Sequence, residues 1–133
     1  MKMVRTTNNA NHLSVLTGLG LLACVLTWAT PSVAHHAFAA NYDIDSEGRV
    51  QGIVEEVFWA SPHVHYYVRV TTDEGSALWD VESANLNAMA ARGWTRNTIR
   101  VGDEIVVSGR LGRDGNRRIW MDRAAWADGS PIE

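Results

Sequence analysis

Four histidines carry the most specific chemistry in this sequence: His35 and His36 in "SVAHHAFAANYD", and His63 and His65 in "SPHVHYYV". Imidazole titrates near neutral pH and is the commonest protein ligand for transition metals. His63 and His65 are two residues apart, so on a strand both rings project from one face. Cleavage after Ala34 would make His35 the N-terminus, where the free α-amine and Nδ1 of one residue can chelate one metal. With a further imidazole this gives a tetragonal nitrogen site that suits Cu(II). His36 competes for the same ion through the amine, the intervening amide and its own ring. The tripeptide copper motif with histidine in third place is absent, since Ala37 stands there. Zinc fits less well than copper, because no cysteine or compact quartet of ligands accompanies the histidines.

A plainer reading competes. Adjacent histidines near a mature N-terminus can be solvated, a Pro-His step can be a satisfied turn, and a histidine opposite a carboxylate is an ordinary cross-strand pair. Trp59, Trp79, Trp94, Trp120 and Trp126 invite the same comparison. They can fill an interior and its rim, or form a stacking platform for a sugar or another ring. No hydrolase constellation stands out. Ser61, Ser76, Ser83, Ser108 and Ser130 fall in expected turns, strands or caps, and neither a nucleophile elbow nor a glycine-rich phosphate loop is present.

The elements that must position the histidines begin with an export signal. Lys2 and Arg5 precede an uncharged apolar run from Leu13 to Ala29, and Ser32-Val33-Ala34 ends the segment with small residues at −3 and −1. Residues 1–34 are expected to be a signal peptide removed after Ala34, placing the protein in the periplasm or outside the cell. The alternative is a lipoprotein anchored at Cys24, through "LLAC". After cleavage no cysteine remains, and ten arginines stand against fifteen acidic residues, a net charge of −5. Such a domain is a poor partner for nucleic acid, where phosphate neutralisation supplies most of the affinity.

Residues 35–48 read as an irregular N-terminal arm, with residues 49–133 as the folded domain. A first strand runs from Val50 to Trp59, its phase slipping at Glu55-Glu56 as a β-bulge would produce. His63 to Thr71 alternates cleanly, with Val64, Tyr66, Val68 and Val70 on one face and His63, His65, Tyr67 and Arg69 on the other. "TDEG" at Thr72–Gly75 is a hairpin turn into a third strand, Ala77–Glu82. The register this turn implies pairs Val68 with Trp79 inward and His65 with Glu82 outward, so Glu82 is the expected carboxylate that orients His65. Tyr67, Asp80 and Arg69 extend this into a binding face.

Ser83 is the expected N-cap of a short helix, Ala84–Arg92, ended by Gly93. A turn at Arg100–Glu104 leads to a fourth strand with Ile105, Val107 and Leu111 inward. "RDGN" is a further hairpin signal, and Arg118–Trp126 is the fifth strand. The fold expected is therefore mostly β: a five-stranded OB-like Greek-key barrel with one short helix between strands 3 and 4. A split barrel or two-sheet sandwich has a similar element order.

"HHAFAANYD", "GIVEEVFWASPHVHYYV", "RGWTRNTIRVGDEIVVSG" and the later "RDG" resemble a family of small exported bacterial proteins known as a domain of unknown function. Its members read HHSFA near the mature start, W-x-N-P-H after the first strand, and R-G-W-T-R before a GD turn. The chain departs from that pattern at Ala37 for serine, at Ser61 for asparagine, and at His65 for an aromatic or aliphatic residue. A role for His65 would thus be peculiar to this protein. The resemblance implies export and a β-barrel-like domain, and supplies no activity.

The function expected is binding rather than catalysis, with copper at His35, His36, His63 and His65. The alternative is a metal-free module that takes a small molecule or an envelope protein. An enzyme would need a redox-active copper with an open coordination position.

Overall fold

The computed structural model describes residues 38–133. The expected signal peptide, Cys24, His35 and His36 lie outside the described residues. Residues 38–41 are helical and lead into β1, Tyr42–Phe58. The remaining elements are β2, His65–Thr72; β3, Gly75–Glu82; a short helix α1, Leu86–Ala91; β4, Glu104–Gly112; and β5, Arg118–Trp126. The five strands form one mixed sheet that closes in a ring in the order β1-β2-β3-β5-β4. Every pairing is antiparallel except β3 with β5.

The expected hairpin is present with the expected register, Val68 opposite Trp79 and His65 opposite Glu82. The slip in β1 falls between Val54 and Glu56, as the doubled glutamates suggested. Alternation then does what a closed sheet demands. Val54, Tyr66, Val68, Val81, Ile105, Val107 and Ile119 point inward and are buried, while Met89, Trp94, Ile99 and Ile132 join the same core.

Two expectations about element ends are corrected. The first strand begins at Tyr42, so residues 42–48 belong to the sheet and not to an irregular arm. "DIDSEG" has no apolar alternation to announce a strand. Its order comes from β4, with Tyr42 opposite Gly112 and Glu47 opposite Arg110, and from the Arg110 side chain donating to the Ile44 carbonyl at 3.0 Å. The helix is capped by Asn85 rather than Ser83, the Asn85 side chain accepting from the Ala88 N–H at 3.0 Å. Ser83 lies just past the end of β3 and extends its pairing. Its N–H donates to the Val64 carbonyl, and its buried hydroxyl donates to the Met89 sulfur at 3.0 Å.

Tyr66 is wholly buried, and its hydroxyl finds no hydrogen-bond partner among the described residues. An unpaired buried hydroxyl costs about 1–3 kcal/mol. Tyr66→Phe is therefore expected to raise stability by about 1 kcal/mol in urea unfolding at pH 7. Burial also pushes this phenol well above its ordinary range. A raised pKa favours the protonated form in the native state, so the associated stability is complete below about pH 10 and is lost as pH rises beyond it. The phenylalanine variant should lose stability less steeply above pH 10, by about 1.4 kcal/mol per pH unit. Equal slopes for both proteins would show that Tyr66 is not held neutral by burial.

Candidate functional site

β3 lies between β2 and β5, so its outward carboxylates have neighbours from both. Asp80 faces Tyr67 on one side and Arg118 on the other, and Glu82 faces His65 and Trp120. Glu82 divides its oxygens. Oε1 lies 2.5 Å from His63 Nδ1, and Oε2 accepts from the Tyr42 hydroxyl. Asp80 does likewise. Oδ1 lies 2.7 Å from His65 Nδ1, and Oδ2 accepts from Arg118 Nε at 3.1 Å and Nη2 at 2.8 Å.

This corrects the expected partner of His65. Glu82 is its cross-strand neighbour, yet both Glu82 oxygens are occupied by His63 and Tyr42, and His65 reaches diagonally to Asp80. Diagonal neighbours on a sheet are within reach of longer side chains. His63 sits just ahead of β2, where backbone bonds from Val64 to Ala84 and from Ser83 to Val64 carry the pairing past the strand end. Those bonds bring its ring beside Glu82.

A neutral imidazole that donates from Nδ1 to a carboxylate keeps its lone pair on Nε2. That is the arrangement in which outer carboxylates fix the tautomer and raise the basicity of a ligating histidine. Neither Nε2 has a hydrogen bond among the described residues. The His63 side chain is 38% exposed and that of His65 18%.

Aromatic rings frame the pair. Trp120 meets His63 edge-on at 5.5 Å between centroids and Tyr42 at 6.0 Å, and Phe38 packs on both Trp120 and Tyr42 at 5.3 and 5.0 Å. On the other side His65 stacks on Tyr67 and meets Phe58 edge-on. Burial, followed by the bond to Glu82, drives the Tyr42 phenol far above its usual range. Burial and the nearby Asp80 raise Tyr67 as well. The bond to Asp80 strengthens the protonated state of Arg118. Tyr42 therefore stays a donor and Arg118 a cation at any physiological pH.

His63, His65, Tyr67, Asp80 and Glu82 thus come together. Arg69 does not join them; it is engaged with Glu55 on β1 through bonds of 2.8 and 3.0 Å. Sequence reasoning missed Tyr42, Arg118 and Trp120. The first lies in an unpatterned polar stretch, and the other two reach the site only through the parallel β3–β5 contact. Among the described residues, no group of three or more His, Cys, Asp or Glu side chains is placed to hold one metal ion.

Fold and site together define a small, mostly β domain with two histidines braced by carboxylates on its outer face. Residues 22–120 match the model of a family of unknown function (DUF6152), and the chain belongs to that family. No curated protein matches the chain in sequence.

Proposed function

We propose that the protein is an exported periplasmic binding protein with an OB-like Greek-key barrel, and that it holds a copper ion through His63 and His65 together with His35 and His36. The barrel reading is supported by the strand order, by the helix between β3 and β4, and by the parallel closure of β3 on β5. The single observation that carries the copper reading is the pair of Nδ1–carboxylate bonds, which leave Nε2 of each ring without a hydrogen bond among the described residues. Nitrogen donors of this kind suit Cu(II).

The test is copper titration of protein recovered from the cell envelope, with its mass determined first. A mass beginning at His35 and one tightly held copper are expected, and His63→Ala with His65→Ala should weaken binding by at least about 100-fold, the loss of two of the donor rings. A chain beginning at His35 that takes up no copper overturns the reading. A lipid-bearing mass beginning at Cys24 removes the free amine of His35 and with it the chelate.

The second reading is a metal-free module for a small molecule or an envelope protein. It is favoured by Phe58 and Leu78, which are 44% and 40% exposed on the same outer face as Tyr67. Binding of a ring-bearing ligand to metal-stripped protein, unchanged by copper, would support it.

A further inference from the structure

We propose a second binding site, separate from the histidine face, for an anionic amphiphile: an apolar chain or ring that bears one carboxylate. A cleft of about 590 Å³ opens between the end of α1, the β4–β5 pair and the C-terminal segment. That size lies within the range of small-molecule sites, which are mostly apolar with a few placed polar groups. Its apolar lining includes Met89, Trp94, Met121 and Ile132, all members of the core and at most 9% exposed. Two methionines on such a wall adapt to ligands of differing shape.

The charges at this cleft are what select an anion. Arg49, Arg92 and Arg123 all line it. Arg123 is engaged with Glu47 at 3.0 Å. The guanidinium groups of Arg49 and Arg92 have neither an ion pair nor a hydrogen bond among the described residues. Of the acidic residues lining the cleft, Asp122 faces Arg110 at 3.7 Å, and Glu133 is the one that opposes a bound anion. In a chain with a net negative charge, two unpaired guanidinium groups beside an apolar wall are matched to a carboxylate, which arginine can grip with two parallel hydrogen bonds. The apolar wall takes the body of the ligand, and burial of that surface supplies most of the affinity.

Dodecanoate, below the concentration at which it forms micelles, is the probe, with dodecanol as its uncharged counterpart. Binding is read by calorimetry and by the change in tryptophan fluorescence, to which Trp94 in the wall contributes. Saturable one-to-one binding of dodecanoate is expected, with dodecanol weaker. Arg49→Gln with Arg92→Gln should weaken dodecanoate by at least about tenfold, and leave dodecanol unchanged, because only the carboxylate loses its charge-assisted hydrogen bonds. Glu133→Gln should tighten dodecanoate, a gain of affinity that a damaged fold cannot mimic. His63→Ala with His65→Ala should bind dodecanoate like the parent, which separates this site from the copper reading. Failure of dodecanoate to saturate, equal affinity for dodecanol, or an arginine double variant that binds dodecanoate as well as the parent would each overturn the proposal. Binding only to anionic vesicles, with none to free dodecanoate, would overturn it in favour of a membrane surface.

Discussion

Gly109→Val is expected to leave the domain unfolded or close to it at room temperature. Gly109 sits in β4 where the pairing with β5 slips, between Ser108 and Gly109. A Cβ there would stand 1.8 Å from the Trp120 carbonyl oxygen and 2.9 Å from the Asp122 amide nitrogen. Both are backbone atoms of the partner strand, so no rotamer change relieves the contact. Ordinary overpacking costs about 1–3 kcal/mol, and forcing two paired strands apart belongs in the exceptional class above about 4 kcal/mol. Against a total stability of about 5–15 kcal/mol for a domain of this size, that is a large share. Gly109→Ala should be destabilised nearly as much, because the clash begins at Cβ. Gly102→Asn is the control. Its φ of 94° is unusual, but nothing lies within 4 Å of an added Cβ, so a loss of about 1 kcal/mol is expected. Thermal melting followed by circular dichroism separates these cases. A Gly109→Ala protein that melts like the parent would contradict the close approach of the strands. The same strand segment holds Trp120 against His63, so if the proposed copper site exists, any folded remnant should also bind the metal less well.

Glu82→Ala is the second large effect, and it joins stability to the site. The Tyr42 residue is 2% exposed, and its hydroxyl donates to Glu82. Truncation strands that donor in a nearly dry environment and releases the His63 ring, a loss of about 2–4 kcal/mol. Tyr42→Phe added to Glu82→Ala should recover part of it, since removing both partners is cheaper than orphaning one. A coupling of about 1–2 kcal/mol in the double-mutant cycle is the expected result. Additive losses would mean that the two side chains do not depend on each other. If the proposed copper site exists, copper affinity provides a second readout. Loss of the carboxylate that orients a ligating imidazole weakens metal binding about 10–100-fold. Glu82→Gln, which keeps an acceptor for Tyr42, should therefore fold nearly normally yet still bind copper more weakly. The histidine affected is His63, since His65 is held by Asp80.

Much of the sheet was legible because its signals are local. "TDEG" closes a hairpin between two alternating runs, and a short turn sets the register of everything beyond it. That reasoning placed Val68 opposite Trp79 and His65 opposite Glu82, as found. The paired glutamates at 55 and 56 broke the alternation where the bulge lies, and β5 has the bounds that its composition suggested. Where local signals were weak or ambiguous, the reading failed. "DIDSEG" lacks apolar periodicity and is a strand only because β4 and Arg110 supply its partners. Ser83 and Asn85 are both good caps in isolation. The sheet claims the first by bonding its N–H to Val64, and the helix is left to start from the second.

The candidate site divides in the same way. Its histidines, the face they occupy and the carboxylates on the neighbouring strand were determined by the sequence itself, because side-chain alternation and a tight turn are properties of adjacent residues. Which carboxylate braces which histidine was decided only by the tertiary structure. Closing the ring lays β5 parallel to β3 and brings Arg118 to Asp80 and Trp120 beside Glu82. The start of β1 folds across the same face, so that Tyr42 takes the second oxygen of Glu82, 40 residues away in the chain. Such pairings depend on loop closure and on competition for a limited number of carboxylate oxygens. Neither leaves a mark in the spacing of residues along the chain.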